Sequence, residues 1–153
     1  MPGLRARTPG SLATDLVAGD TGPAGARNFQ LHRFHGNGSP DLGFGALGVA
    51  SPLISAHDNR AEDMIVLSSG AILVGGNEVV DPNTMRPALA RYTCDGALDT
   101  GFGVGGVLGL DLGEYGILHA VEHYSKDLVV VAGADVGMSP GPGTYGVVAR
   151  LWM

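Results

Sequence analysis

The chain has 153 residues, of which 26 are glycine and 9 proline, and 16% are charged. So many backbone breakers exclude a long-helix protein, because each interior glycine costs a helix about 1 kcal/mol relative to alanine. A hydrophobic share of 44% argues against disorder, and a formal charge of −6 without any Lys/Arg cluster argues against a nucleic-acid partner.

Residues 1–14 read as an N-terminal tail. Arg5 and Arg7 could open a signal peptide, but Asp15 interrupts the stretch after them, so no export signal is expected in this chain. No apolar run approaches the roughly 18 residues that cross a bilayer. From Asp15 onward the sequence repeats itself. An apolar run ending in glycine occurs as DLVAG at 15–19, ILVGG at 72–76 and VVVAG at 129–133. Each is followed by a variable loop (19–29, 77–87, 134–145) and then a strand-like run ending in Arg33, Arg91 or Arg150. A glycine-rich segment comes next: Arg33–Val49 and Arg91–Val107 are identical at eight of 17 positions. Two further strands are expected near 106–112 and 118–124. Four strands in about 58 residues is the content of a propeller blade. The expected fold is all-β, with consecutive four-stranded antiparallel units forming about two and a half blades of an incomplete propeller. The expected units are 15–46 (partial), 47–104 (full) and 105–153 (nearly complete).

Twelve residues stand out at matched positions of the glycine-rich segment: Arg33, Asn37, Gly38, Asp41, Phe44 and Gly45, with Arg91, Asp95, Gly96, Asp99, Phe102 and Gly103. They read as builders of a turn. Asn37-Gly38 and Asp95-Gly96 suit a tight hairpin that needs positive φ. Asp41 and Asp99 could hold calcium, but a cage of six to eight oxygens needs more donors; accepting backbone N–H groups within the turn is the favoured role. The arginines are expected to pair with a repeated carboxylate or with carbonyls between blades. Phe44 and Phe102 are expected to anchor packing.

Other motifs carry less. G-x-G-x-x-G at 43–48 and 101–106 lacks the following helix that a dinucleotide site requires. His119, Glu122 and His123 spell H-x-x-E-H, a zinc motif that works only on a helix. On a strand the two histidines are about 13 Å apart, so no metal is expected. Cys94 is the sole cysteine, which excludes an internal disulfide; it should lie exposed on a turn. Trp152 reads as a partner contact or as the exposed end of an array. The variable loops hold no histidine and few cations, so an enzyme is not expected.

The pattern Arg-aromatic-x-x-Asp/Asn-Gly-x-x-Asp-x-Gly-Phe-Gly-x-x-Gly-Val resembles the delta-60 repeat, a bacterial tandem repeat of β-propeller-like domains. Asp95-Gly96-Ala97-Leu98-Asp99, Phe102-Gly103-Val104-Gly105-Gly106, Ser69–Gly76 and Val131-Ala132-Gly133 carry the likeness. The first copy departs from it at Pro40 and Leu47. The resemblance implies a non-enzymatic structural or interaction module, no cofactor, and an exported or cell-surface location. Its partners would be neighbouring repeats, or other copies meeting through open strand edges. Two alternatives stand beside it: a carbohydrate- or ligand-binding propeller completed by oligomerisation, and a fragment of a larger exported repeat protein.

Overall fold

The computed structural model describes residues 4–7, 14–112, 115–125, 128–136 and 143–153. The described chain is built from strands and turns, as the glycine content demands. In order these are β1 Leu4–Arg7, β2 Thr14–Thr21, β3 Asn28–His35, β4 Val49–Ala50, β5 Asp58–Val66, β6 Ile72–Asp81, β7 Thr84–Tyr92, β8 Val107–Gly109, β9 Gly116–Ser125, β10 Leu128–Asp135 and β11 Tyr145–Trp152. They form three antiparallel sheets in the orders β1-β2-β3-β4, β5-β6-β7-β8 and β11-β10-β9. This is the all-β, incomplete propeller that the repeat implies.

The sheets stack through alternate residues of their strands. Leu16 and Ala18 of β2, with Phe29 and Leu31 of β3, bury themselves against Met64, Ile72, Val74, Ala90 and Tyr92 of the second sheet. The opposite face of the second sheet presents Leu73 and Leu89 to Leu118, Val121, Val129 and Val131 of the third. Each large side chain so buried stabilises the stack by about 1.5–3 kcal/mol. The second sheet is covered on both faces, which explains why ILVGG is apolar throughout and does not alternate.

The closing glycine of that run has a steric cause. In β5 the register slips between Ala61 and Asp63, leaving Glu62 as a bulge, and in β9 it slips at the corresponding place, leaving His119. The bulge pushes a carbonyl across the neighbouring strand. A β-carbon at Gly76 would lie 2.2 Å from the Arg60 oxygen, and one at Gly133 would lie 2.2 Å from the Ile117 oxygen.

Three expectations differ from the structure. Part of the expected tail, Leu4–Arg7, pairs with β2 as an edge strand, so the first sheet has four strands; residues 8–13 of that tail lie outside the described residues. The expected full unit 47–104 holds β4 to β7, whereas the sheet holds β5 to β8. After the glycine-rich loop the chain folds back onto the strand it has just left, so β8 pairs with β7. Finally, 77–87 is a tight hairpin in place of a variable loop, with β6 and β7 paired from Ile72–Tyr92 to Asp81–Thr84. In the third variable loop, 137–142 lie outside the described residues.

Candidate functional site

The recurring residues converge on one loop geometry, built twice. The hairpin turn closes first: Gly38 N donates to the His35 oxygen at 2.8 Å, and Gly96 N to the Thr93 oxygen at 3.0 Å. Gly38 (φ 84°) and Gly96 (φ 90°) both hold positive φ, whereas Asn37 and Asp95 do not. Instead, the Asn37 Oδ1 accepts from Ser39 N and Oγ at 3.0 and 2.8 Å, and the Thr93 hydroxyl donates to the Asp95 carboxylate.

The aspartates then organise the loop. Asp41 Oδ2 accepts from Arg33 Nε at 2.8 Å, and its Oδ1 accepts from Gly43 N at 3.0 Å. Asp99 repeats this with Arg91 Nε at 2.8 Å and Gly101 N at 3.1 Å. Partial desolvation pushes the Asp41 carboxyl up, but the Gly43 N–H and the Arg33 guanidinium outweigh it and hold the carboxyl below its ordinary value. Both oxygens of each aspartate thus already serve the protein's own donors. Each guanidinium also stacks on an aromatic ring, Arg33 at 4.5 Å from the Phe44 centroid and Arg91 at 4.6 Å from that of Phe102. The loop turns at Gly45 and Gly103, both at φ 54°, where a β-carbon would lie 2.2 and 2.1 Å from the oxygens of Val49 and Val107. The next positive-φ position is Gly105 (φ 62°) in the second copy and Leu47 (φ 57°) in the first.

The two copies differ in what they grip. In the first, Arg33 Nη1 donates to the Cys94 oxygen, and Gly45 N donates to the Asp95 oxygen at 2.7 Å. The loop of one sheet therefore clasps the hairpin turn of the next. Gly96 makes room for this clasp, since a β-carbon there would meet the Phe44 ring at 2.9 Å. The corresponding groups of Arg91 and Gly103 make no such contact among the described residues. A gap of about 380 Å³ lies there, lined by Leu67, Ser68, Ser69, Arg91, Asp99 and Met153.

The remaining candidates do not join this loop. His119 lies exposed on the β9 bulge, Glu122 Oε1 accepts from His123 N, and His123 Nε2 donates to the Val66 oxygen at 2.8 Å. Among the described residues no group of three or more His, Cys, Asp or Glu side chains is placed to share a metal ion. Cys94 is exposed. Arg150 and Trp152 lie exposed on β11.

One cleft went unread in the sequence. About 880 Å³ in volume, it lies by the β6–β7 hairpin and the segment after β8, and its lining includes Glu78, Asn83, Thr84, Arg86 and Asp111. The signal that could have found it is the opposite-charge pair Glu78 and Arg86, directly opposed across the hairpin.

A family model described as a β-propeller domain of unknown function (DUF5122) matches residues 67–102, which span β6, β7 and the Asp99–Phe102 turn. No curated protein and no solved structure matches the chain. Fold and matched stretch together define a β-propeller-like domain.

Proposed function

We propose that this chain is a non-enzymatic structural or interaction module of a delta-60-type repeat array. One observation supports this above the rest: the recurring arginines are committed to the protein's own carboxylates and rings in both copies, and in the first copy the arginine also joins one sheet to the next. Arg33 spends its donors on Asp41 and on the Cys94 carbonyl, and its π-facing side on Phe44. The reading is tested by assaying the purified chain against a panel of glycosides and esters. No turnover above buffer is expected. Turnover that disappears in Glu78→Gln or Asp111→Asn overturns it.

The second reading, a ligand-binding propeller completed by oligomerisation, is favoured by the cleft at Glu78, Arg86 and Asp111, whose mixed charges suit a polar ligand. Calorimetric titration with a panel of oligosaccharides tests it. Heat that is lost in Arg86→Ala supports this reading, and a flat titration removes it.

A further inference from the structure

The first two sheets hold the segment that follows their last strand in different ways, and the difference leaves two charges unspent. In the first sheet Asn28 occupies the repeat position of Arg86, and Pro52 that of Leu110. Proline has no N–H to give, so the segment after β4 is held by a side chain. Asn28 Nδ2 donates to the Pro52 oxygen, and its Oδ1 accepts from Ile54 N at 3.1 Å. In the second sheet a backbone bond holds the segment after β8, with Leu110 N donating to the Pro87 oxygen at 2.8 Å. Arg86 is thereby released from that task.

Arg86 and Glu78 are register partners on neighbouring strands, an arrangement that favours a cross-strand ion pair. They make none: among the described residues neither side chain has an ion pair or a hydrogen bond. Asp81, at the hairpin tip, feels the charge of Arg86, but its Oδ1 accepts from Asn83 N at 2.8 Å. Asp111 already has an interaction of its own and is given no role here. Glu78 is half-buried and Arg86 exposed, and both line the cleft of about 880 Å³, a volume typical of small-molecule sites. Asn83 and Thr84 add polar groups to its wall. Gly109 keeps it open, since a β-carbon there would meet nothing within 4 Å.

This pair of charges selects the ligand. A simple anion on Arg86 would bring its charge beside Glu78, and a simple cation on Glu78 would bring its charge beside Arg86. A neutral polyol would bridge the two with weaker bonds than a charged group makes. A ligand carrying both signs close together satisfies both side chains. Neighbouring strands lie about 4.8 Å apart, and an α-amino acid holds its ammonium and its carboxylate on a single carbon. We infer that the cleft takes the free zwitterion of a polar α-amino acid, with the Arg86 fork on its carboxylate and the Glu78 carboxylate on its ammonium group. This rests on the second reading above, in which the cleft binds a ligand, and it names the class of that ligand.

The test is an NMR titration of the nitrogen-15-labelled full chain with L-serine and L-glutamine, read at the backbone N–H groups of 78–86 and 109–111. Saturable shifts centred on those groups are expected. The N-acetyl derivatives, which lack the ammonium charge, and the carboxamides, which lack the carboxylate, should each bind about tenfold more weakly. Glu78→Gln should weaken the free amino acids by a similar factor and leave the N-acetyl derivatives no worse than in wild type. Arg86→Gln should do the same with respect to the carboxamides. A mere change of surface shape would not match each variant to one end of the ligand. Free and capped forms that bind alike overturn the inference, as does an absence of shifts or saturation centred elsewhere. If the amino acids fail while oligosaccharides give heat that Arg86→Ala abolishes, the zwitterion falls and the cleft stands as a saccharide site. If neither class binds, both readings of the cleft fall.

Discussion

The seam between the first and second sheets and the seam between the second and third share one apolar register but are fastened by different polar chemistry. The first is ionic. Arg27 gives Asp58 its backbone N–H at 2.9 Å, Nε at 2.9 Å and Nη2 at 2.5 Å, while Asp20 and Arg60 stand at 3.6 and 3.5 Å from the pair. The Arg33 clasp on Cys94 adds a second cationic contact. The second seam relies on one amide and one carboxylate, each bonded to backbone groups. Asn77, fully buried, donates to the Leu118 oxygen at 3.1 Å and accepts from Leu118 N at 2.7 Å; Asp63 accepts from Val121 N at 2.7 Å. Asn77 occupies the repeat position of Asp20. That position thus flanks the Arg27–Asp58 ion pair in one copy and itself crosses the seam as an amide in the next. What the repeat keeps constant is apolar shape, and the polar fastener is free to vary.

Substitutions can break this comparison. The largest expected effect is at Gly76, where an added methyl meets the Arg60 oxygen at 2.2 Å and the Phe29 ring at 2.5 Å. Gly76→Ala should cost about 3 kcal/mol, read as a lower thermal midpoint in calorimetry. Asn77→Ala comes next. It leaves the Leu118 N–H and carbonyl without their partner in the second seam and should cost about 2–3 kcal/mol by urea unfolding.

Asp58→Asn should cost about 2 kcal/mol at neutral pH, since it removes a charged acceptor from Arg27. It should also change the response to acid. Donation from the Arg27 side chain, opposed by desolvation, holds the Asp58 carboxyl well below its ordinary value. A carboxylate lowered in this way stabilises fully above the unfolded value near 4, and that stability is lost as pH falls through the folded value. Thermal midpoints measured downward from about pH 5 should therefore fall more steeply in wild type than in Asp58→Asn. An equal slope would show that the first seam is not held by this ion pair.

Two smaller changes sharpen the comparison between copies. Leu47 sits at φ 57° where the second copy has glycine. Left-handed backbone costs a bulky residue about 1–2 kcal/mol, and glycine returns part of that gain as unfolded-state entropy. Leu47→Gly should thus raise stability by about 0.5–1 kcal/mol, measured in urea. Last, the Tyr92 hydroxyl is buried without a hydrogen-bond partner among the described residues, and burial pushes its ionisation upward. Tyr92→Phe should leave stability within about 0.5 kcal/mol of wild type or raise it, because an unsatisfied buried hydroxyl contributes nothing.

Much of the fold was legible because steric demands recur in sequence. Gly45 and Gly103 stand where no β-carbon fits, so the repeat could be found by its glycines. Arg33 and Asp41 could be paired in advance, since both recur at the same spacing as Arg91 and Asp99. The sheet boundaries were not legible, because β8 reaches back to β7 and a repeat has no natural starting point in its own sequence. β1 was missed because four residues carry too little pattern. The Asp58 and Asn77 fasteners were missed for a different reason: each occurs in one seam alone, so no recurrence marks it. The Glu78–Arg86 cleft depended on reading 77–87 as a hairpin, and the prolines at 82 and 87 suggested a loop.

The twin loops also bear on how such a chain changes length. Arg33–Val49 and Arg91–Val107 lie 58 residues apart and share the aspartate-centred hydrogen bonds, the cation–ring stacking and most of their backbone path. A crossover between the two matching gene segments would splice the front of one loop to the back of the other and still encode a loop of the same shape. The product would differ by a whole sheet, with no new junction to solve. The loop is therefore a natural site of unequal recombination, and sheet number is a quantity that heredity can adjust in single steps.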